Sequence, residues 1–199
     1  MKKILIISIF ALVSLISLPV AFGYPVYQGD IIKLTNGIGD TNGGEFILSK
    51  YDVPLFKTFC LEANEYISFG TPYKVGSIDT GAILGGQGGP IDELDVRTAY
   101  LFYHFAVGDL QGYTYGSAAS ADALQNAIWY IEGEGGVNNA FVALAEGKWS
   151  DIGNVRVLNL VDPVTGENKQ SVLTLVPEPM TMILFGLGLI GLAGLRRKE

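Results

Sequence analysis

The sequence predicts an α+β fold: β-sandwich or barrel-like strands carrying an inserted helical subdomain, with a C-terminal single-pass transmembrane helix. Three observations predict it. Short apolar or alternating runs separated by turn-rich stretches fill the first half of the region between the termini. The apolar period then lengthens from two to nearly four across residues 92–146. Strand-like runs resume after it and lead into an uncharged stretch close to the end. Strands, then helices, then strands place the helices inside a β-structure.

The elements follow in order. Lys2 and Lys3 precede an apolar run from Ile4 to about Pro19, and Ala21 and Gly23 put small residues at the two positions a signal peptidase reads. Residues 1–23 therefore read as a signal peptide. Residues 24–176 read as one exported domain, long enough to bury roughly 68–70% of its unfolded surface around a core. Strands are expected at 30–34, 45–48, 57–63 and near 73–75, with TNGIGDTNGG at 35–44 as a turn. GGQGGP at 85–90 suits neither helix nor strand and marks a surface loop. Residues 92–107 are apolar on almost every side (Val96, Ala99, Leu101, Phe102 and Phe105 among them), which fits a largely buried helix. A second helix, 117–131, has Ser117 as a cap and Gly133 beyond its end; a third, 138–146, has an asparagine cap and Gly147 as its stop. Residues 155–161 and 171–176 pair as a hairpin around DPVTGEN.

The chain closes with Val176-Pro177-Glu178-Pro179, an uncharged run over 180–195, and then Arg196, Arg197 and Lys198. As a helix that run reaches about 24 Å against a hydrocarbon core of about 30 Å, so it spans by thinning the bilayer or snorkelling its basic end. The basic cluster has the positive-inside sign, which leaves the tail in the cytoplasm and the rest outside. A proline-bracketed carboxylate, an apolar segment and a basic stop, in that order, resemble the PEP-CTERM sorting signal over 177–199. The resemblance implies an exported protein held by its C-terminal helix and processed by exosortase, a membrane protease, at Pro177-Glu178-Pro179. The processed product would reside at the cell surface or in the extracellular matrix of an exopolysaccharide producer.

Charge and cysteine narrow the function. The chain carries a net charge of −7, and five of its cations lie in the two terminal segments, so the middle is more acidic still. Nucleic acid is excluded as a partner, because phosphate binding needs clustered cations. Cys60 is the one cysteine, so no internal disulfide holds the exported domain, and the thiol reads as reactive or intermolecular. No cofactor or metal motif is present: Asp92, Glu93 and Asp95 lack the spaced loop of a calcium site and read as a charged helix start.

Cys60 sits in KTFCLEA. In a strand, Phe59, Leu61 and Ala63 face one side while Thr58, Cys60 and Glu62 face the other. Gln125 sits in ADALQNAIWYIEGE, where Ala121, Leu124, Ile128 and Ile131 form the apolar stripe of a helix and Gln125 falls inside its edge. An unpaired amide there costs about 1–3 kcal/mol, so it needs partners or a chemical purpose. Phe59-Cys60-Leu61 together with Gln125-Asn126-Ala127-Ile128-Trp129 resemble the two halves of the signature of bacterial surface thioester domains. Leu124 stands where that family often has threonine. The resemblance implies a bond from the Cys60 sulfur to the Gln125 side-chain carbonyl, supported by Phe59, Leu61, Ala127, Ile128 and Trp129. It implies a non-enzymatic protein that attaches to an amine- or hydroxyl-bearing target.

Two other readings stand beside it. One is a structural exopolysaccharide-associated protein whose Cys60 stays a buried small hydrophobe. The other is a cysteine hydrolase with His104, the only histidine, as base to Cys60. Glu132 and Glu134, flanking Gly133, are too close in sequence to oppose one another across a sugar.

Overall fold

The computed structural model describes residues 23–40, 44–83 and 92–177. Residues 23–176 form one compact unit. The signal peptide expected at 1–23 falls almost wholly outside the described residues, as do Glu178, Pro179 and the expected membrane helix. Among the described residues no helix is long and apolar enough to cross a membrane.

The fold is α+β and is organised by one six-stranded sheet. Its strands are β1 (Ile31–Asn36), β2 (Gly44–Lys50), β3 (Val53–Phe59), β4 (Pro72–Asp79), β7 (Val155–Val161) and β8 (Asn168–Leu175). Their order is β3-β2-β1-β4-β7-β8, with every neighbouring pair antiparallel. A short pair, β5 (Gly81–Ala82) and β6 (Asp92–Glu93), stands apart from it. The sandwich alternative is thereby corrected, since the strands do not divide into two facing sheets. The barrel-like alternative is closer, because the two edge strands meet. Cys60 makes a bridge to Val172, Thr58 Oγ1 donates to the Leu173 carbonyl at 2.6 Å, and the Leu61 N–H donates to the Ser171 carbonyl at 3.2 Å. A curled sheet leaves fewer unpaired strand edges, which are the costly part of any open one.

Alternation along the strands creates two cores. One face gathers Ile32, Leu34, Phe46, Leu48, Phe56, Tyr73, Val75, Leu158, Leu160 and Val172, with contributions from all six strands of the large sheet, and Cys60 belongs to it. The other carries Phe59, Leu61, Val157, Leu173 and Leu175 against the helices. Those helices are α1 (Val96–Val107), α2 (Ala118–Ile131) and α3 (Ala140–Ala145), all between β6 and β7 in the chain.

The helix boundaries have local causes. Asp95 caps α1, accepting from the Arg97 N–H at 2.8 Å, and Gly108 closes it in the left-handed region at φ 89°. Helix α1 thus begins at Val96 rather than at Asp92, because Asp92 and Glu93 pair with Ala82 and Gly81 instead. Ser117 caps α2 as the sequence suggests, while α3 is capped by Asn139. β3 begins earlier than expected, at Val53, because Tyr51 and Asp52 turn the chain tightly from β2 with φ of 52° and 60°.

Candidate functional site around Cys60 and Gln125

Cys60 directly follows β3, at the corner where the sheet closes on β8. Gln125 lies in the middle of α2, between the buried Leu124 and Ala127. Both residues are fully buried. The strand and the helix bring the two side chains together: Cys60 Sγ is 3.4 Å from Gln125 Oε1. The amide is also clamped to the cysteine backbone from both ends. The Cys60 N–H donates to Oε1 at 3.2 Å, and Gln125 Nε2 donates to the Cys60 carbonyl at 3.0 Å. The carboxamide therefore has one orientation, with its oxygen polarised by the N–H of the residue that carries the sulfur.

Gly44 makes room for that oxygen. It opposes Phe59 across the β2–β3 pair, at φ 142°, and a Cβ there would sit 2.9 Å from Gln125 Oε1 and 3.1 Å from Phe59 Cδ1. Only glycine combines this backbone conformation with so close an approach. Sequence reading places Gly44 in a turn and assigns it no role at the site. The close packing of strand on helix that demands it is a tertiary fact.

The surroundings disfavour a free thiolate. Burial pushes the Cys60 thiol well above its ordinary range, and the nearby charge of Glu62 adds to the effect. Trp129 works the other way. Its buried indole N–H makes no hydrogen bond of normal geometry among the described residues, yet its partial positive charge favours the thiolate. Glu62 is itself fully buried and, for the same reason, its carboxyl is raised to about 7. Strand alternation in KTFCLEA expects Glu62 on the Cys60 side; in the structure β3 ends at Phe59 and the chain bends at Leu61, yet the Glu62 charge still reaches the thiol.

Trp129 also lines a cleft of about 560 Å³ bounded by Asn36, Asp40, Ala63, Tyr66 and Phe69. Tyr66 and Phe69 are exposed at its rim, at 76% and 50%. One indole thus touches both the cleft and the sulfur's surroundings.

The supporting residues named from sequence divide between the faces. Phe59, Leu61, Ala127 and Ile128 are all fully buried in the helix-side core, where Phe59 meets Phe105 edge-on at 4.9 Å. They fix strand and helix against each other on that side, whereas Cys60 and Trp129 belong to the other core. His104 is engaged elsewhere: its Nδ1 lies 2.7 Å from Asp109 Oδ1, and its ring packs among Tyr100, Tyr103 and Trp149. Asp95 is occupied as the α1 cap and is held by Arg97 at 2.7 Å. Among the described residues no group of three or more His, Cys, Asp or Glu is placed to hold a metal ion. Glu132 approaches the Asp95 N–H at 3.4 Å and is raised to about 8 by burial.

β8 leads out through Val176, which exchanges two 3.0 Å hydrogen bonds with Asn154. Tyr24 donates to the Leu175 carbonyl at 2.8 Å. Pro177 is exposed immediately beyond these ties. The model of the PEP-CTERM protein-sorting motif matches residues 175–198. The chain carries a PEP-CTERM sorting motif. PEP-CTERM signals are recognised by exosortase, and the motif implies export with anchoring through the C-terminal region before processing. No curated protein and no solved structure matches the chain.

Proposed function

We propose that this chain is a non-enzymatic surface or matrix protein, delivered by its PEP-CTERM motif, that attaches covalently to an amine- or hydroxyl-bearing target through a thioester between Cys60 and Gln125. One observation carries the reading: the Gln125 carboxamide is clamped at both ends to the Cys60 backbone, with Sγ 3.4 Å from its oxygen. Amides are poor electrophiles, and proximity of this kind substitutes for activation by effective molarity. As sulfur attacks the amide carbon, the negative charge that develops on Oε1 is met by the Cys60 N–H. The S–C bond forms, the C–N bond breaks and ammonia leaves. The acyl group then passes to a nucleophile of the target, and the thiol is released.

Burial of both residues keeps water from the bond, and the Trp129 cleft is the approach for the target. The bond would also close a span of 65 residues. By analogy with disulfides, the chain-entropy argument assigns such a closure about 4 kcal/mol. An exported domain without a disulfide gains from that.

A second reading has its own support. Both polar groups of Gln125 find backbone partners, which is also what a purely structural core amide beside a reduced thiol requires. The two are separated by intact mass. The full chain, purified in detergent, is expected to be lighter by one ammonia than its sequence requires and to gain one methylamine when incubated with it. The Cys60→Ala chain should do neither. A sequence mass with no methylamine uptake, and no effect of Cys60→Ala, supports the structural reading and ends the covalent one.

A further inference from the structure

We propose that Glu62 accepts the Cys60 thiol proton as the thioester closes and delivers it to the departing ammonia. The inference rests on the thioester reading and names the group that makes its chemistry balance.

Closure needs a proton moved. The thiol has to lose one, and the amide nitrogen, which leaves as NH₃, has to gain one. Burial disfavours a preformed thiolate at Cys60, so an acceptor is required close by, inside the protein. His104 does not supply it, being paired with Asp109. Glu62 is two residues past Cys60, beyond a bend at Leu61, both are fully buried, and its charge lies near enough to bear on the thiol. Its position is fixed from three directions. The Ser171 N–H donates to Glu62 Oε2 at 3.0 Å, Gln170 Nε2 donates to the Glu62 carbonyl at 3.0 Å, and the Leu61 N–H is held by the Ser171 carbonyl. Ser171 adjoins Val172, the bridge partner of Cys60, which keeps the carboxylate at the same corner as the sulfur.

The other oxygen carries the argument. Glu62 Oε1 is buried without a hydrogen-bond partner among the described residues, and no cation pairs with the carboxylate there. Glu45 Oε1 also lacks a hydrogen bond but has the Lys57 ammonium at 2.6 Å, whereas Glu62 Oε1 has neither among the described residues, and a buried acceptor left so is costly. An oxygen kept ready to take a proton is left open. The acidic groups around it are Cys60 two residues before it, Glu65 three residues after it, and Glu134, whose Oε2 accepts from the Ala63 N–H at 3.2 Å. With the carboxyl raised to about 7, Glu62 both takes and returns a proton near neutrality. The balance is complete: the thiol proton passes to Glu62 and on to the nitrogen, S–C replaces C–N, ammonia leaves, and Glu62 is restored without any oxidant or reductant.

The test starts from the closed protein. Concentrated ammonia converts the thioester of the full chain in detergent back to thiol and primary amide. After its removal, the loss of one ammonia is followed by mass against time and pH. The wild-type closing rate is expected to climb as pH passes about 7. Glu62→Gln should close about 100-fold more slowly and without that rise, and Glu62→Asp should restore part of the rate. Glu62→Gln closing at the wild-type rate overturns the role of Glu62 and leaves the thioester standing. A wild-type rate flat between about pH 6 and 8 overturns it even if the glutamine variant fails to fold. A wild-type chain that never loses ammonia nor takes up methylamine overturns both readings.

Discussion

Glu45 and Glu62 are both fully buried, one at the start of β2 and the other just past the end of β3, and the protein treats them oppositely. Glu45 is compensated. Lys57 Nζ lies 2.6 Å from its Oε1, and the Tyr113 hydroxyl donates to Oε2 at 3.0 Å. Burial and the Glu45 charge together push the Tyr113 phenol far above its ordinary range, which keeps it a donor at any working pH. Each has one oxygen without a hydrogen bond, but Glu62 has only Ser171 beside it and, among the described residues, no cation. A buried charge with a cation and a phenol holds strands and loop together. A buried carboxyl without them is a proton store beside a thiol. The pair teaches that burial alone does not mark a functional acid; the missing counter-charge does.

Removing the counter-charge from Glu45 is the largest way to break this contrast. Lys57→Met keeps the aliphatic stem and deletes the ammonium, leaving Glu45 in the condition of Glu62 without its role. Stranding one partner of a buried pair costs about 3–5 kcal/mol, and the 42% exposure of the Lys57 side chain brings the expectation to about 3 kcal/mol. Urea denaturation reads this as a lower midpoint at unchanged slope. A midpoint equal to the wild type would mean that Glu45 needs no compensation and that the contrast with Glu62 is empty.

The pH dependence of stability sharpens the other half. The Glu62 carboxyl is raised from 4.5 to about 7 in the folded state. Between those values the folded chain holds more protons than the unfolded one, so its stability falls as pH rises. The contribution is complete below about 4.5 and is lost as pH passes about 7. At about 1.4 kcal/mol per pKa unit it amounts to no more than about 3.5 kcal/mol. Glu132, raised to about 8, adds a slope of the same sign. The decisive measurement is therefore the difference in unfolding free energy between wild type and Glu62→Gln across this range. A difference independent of pH would remove Glu62 as a titrating group.

A smaller change tests whether the Glu45 cluster acts as a unit. Tyr113→Phe removes one donor and leaves Lys57 in place. An oxygen that loses its partner in a buried site costs about 1–3 kcal/mol, so the loss should fall below that of Lys57→Met. If the double variant loses less than the sum of the two, the lysine and the phenol are compensating the same charge.

How much of this was legible in the sequence follows from the range of each signal. Alternation is local, so KTFCLEA alone places Cys60 opposite Phe59 and Leu61, as the structure has them, although the strand expected over 57–63 ends at Phe59. The helical period is also local, and it places Gln125 on the buried side of α2. What alternation cannot carry is that both faces of that strand end are interior. The second core exists because β3 and β8 meet at Cys60 and Val172, a contact between distant parts of the chain. The tight turn at Tyr51 and Asp52 escapes notice because neither residue is the glycine or asparagine that advertises left-handed backbone. Asp92 and Glu93 read as the opening of a helix, and they are drawn into pairing with Gly81 and Ala82, a tertiary choice overriding a local one. Gly44 illustrates the same limit. In the sequence it ends a glycine-rich turn, whereas in the fold it is the floor beneath the Gln125 oxygen.

The smallest effect comes from a carboxylate of a third kind. Asp52 lies in the β2–β3 turn and pairs with Lys33 at 2.7 Å, with its side chain 77% exposed. Water already solvates both charges, so the pair gains little from meeting. Asp52→Asn keeps the shape and tolerates the left-handed φ of 60°, which isolates the charge from the backbone. The expected loss is below about 1 kcal/mol, and whatever remains should shrink further in 1 M salt, where the screening length is about 3 Å. A loss as large as that of Lys57→Met would mean that exposure does not separate these carboxylates, and the ranking from Glu45 to Asp52 would have to rest on geometry instead.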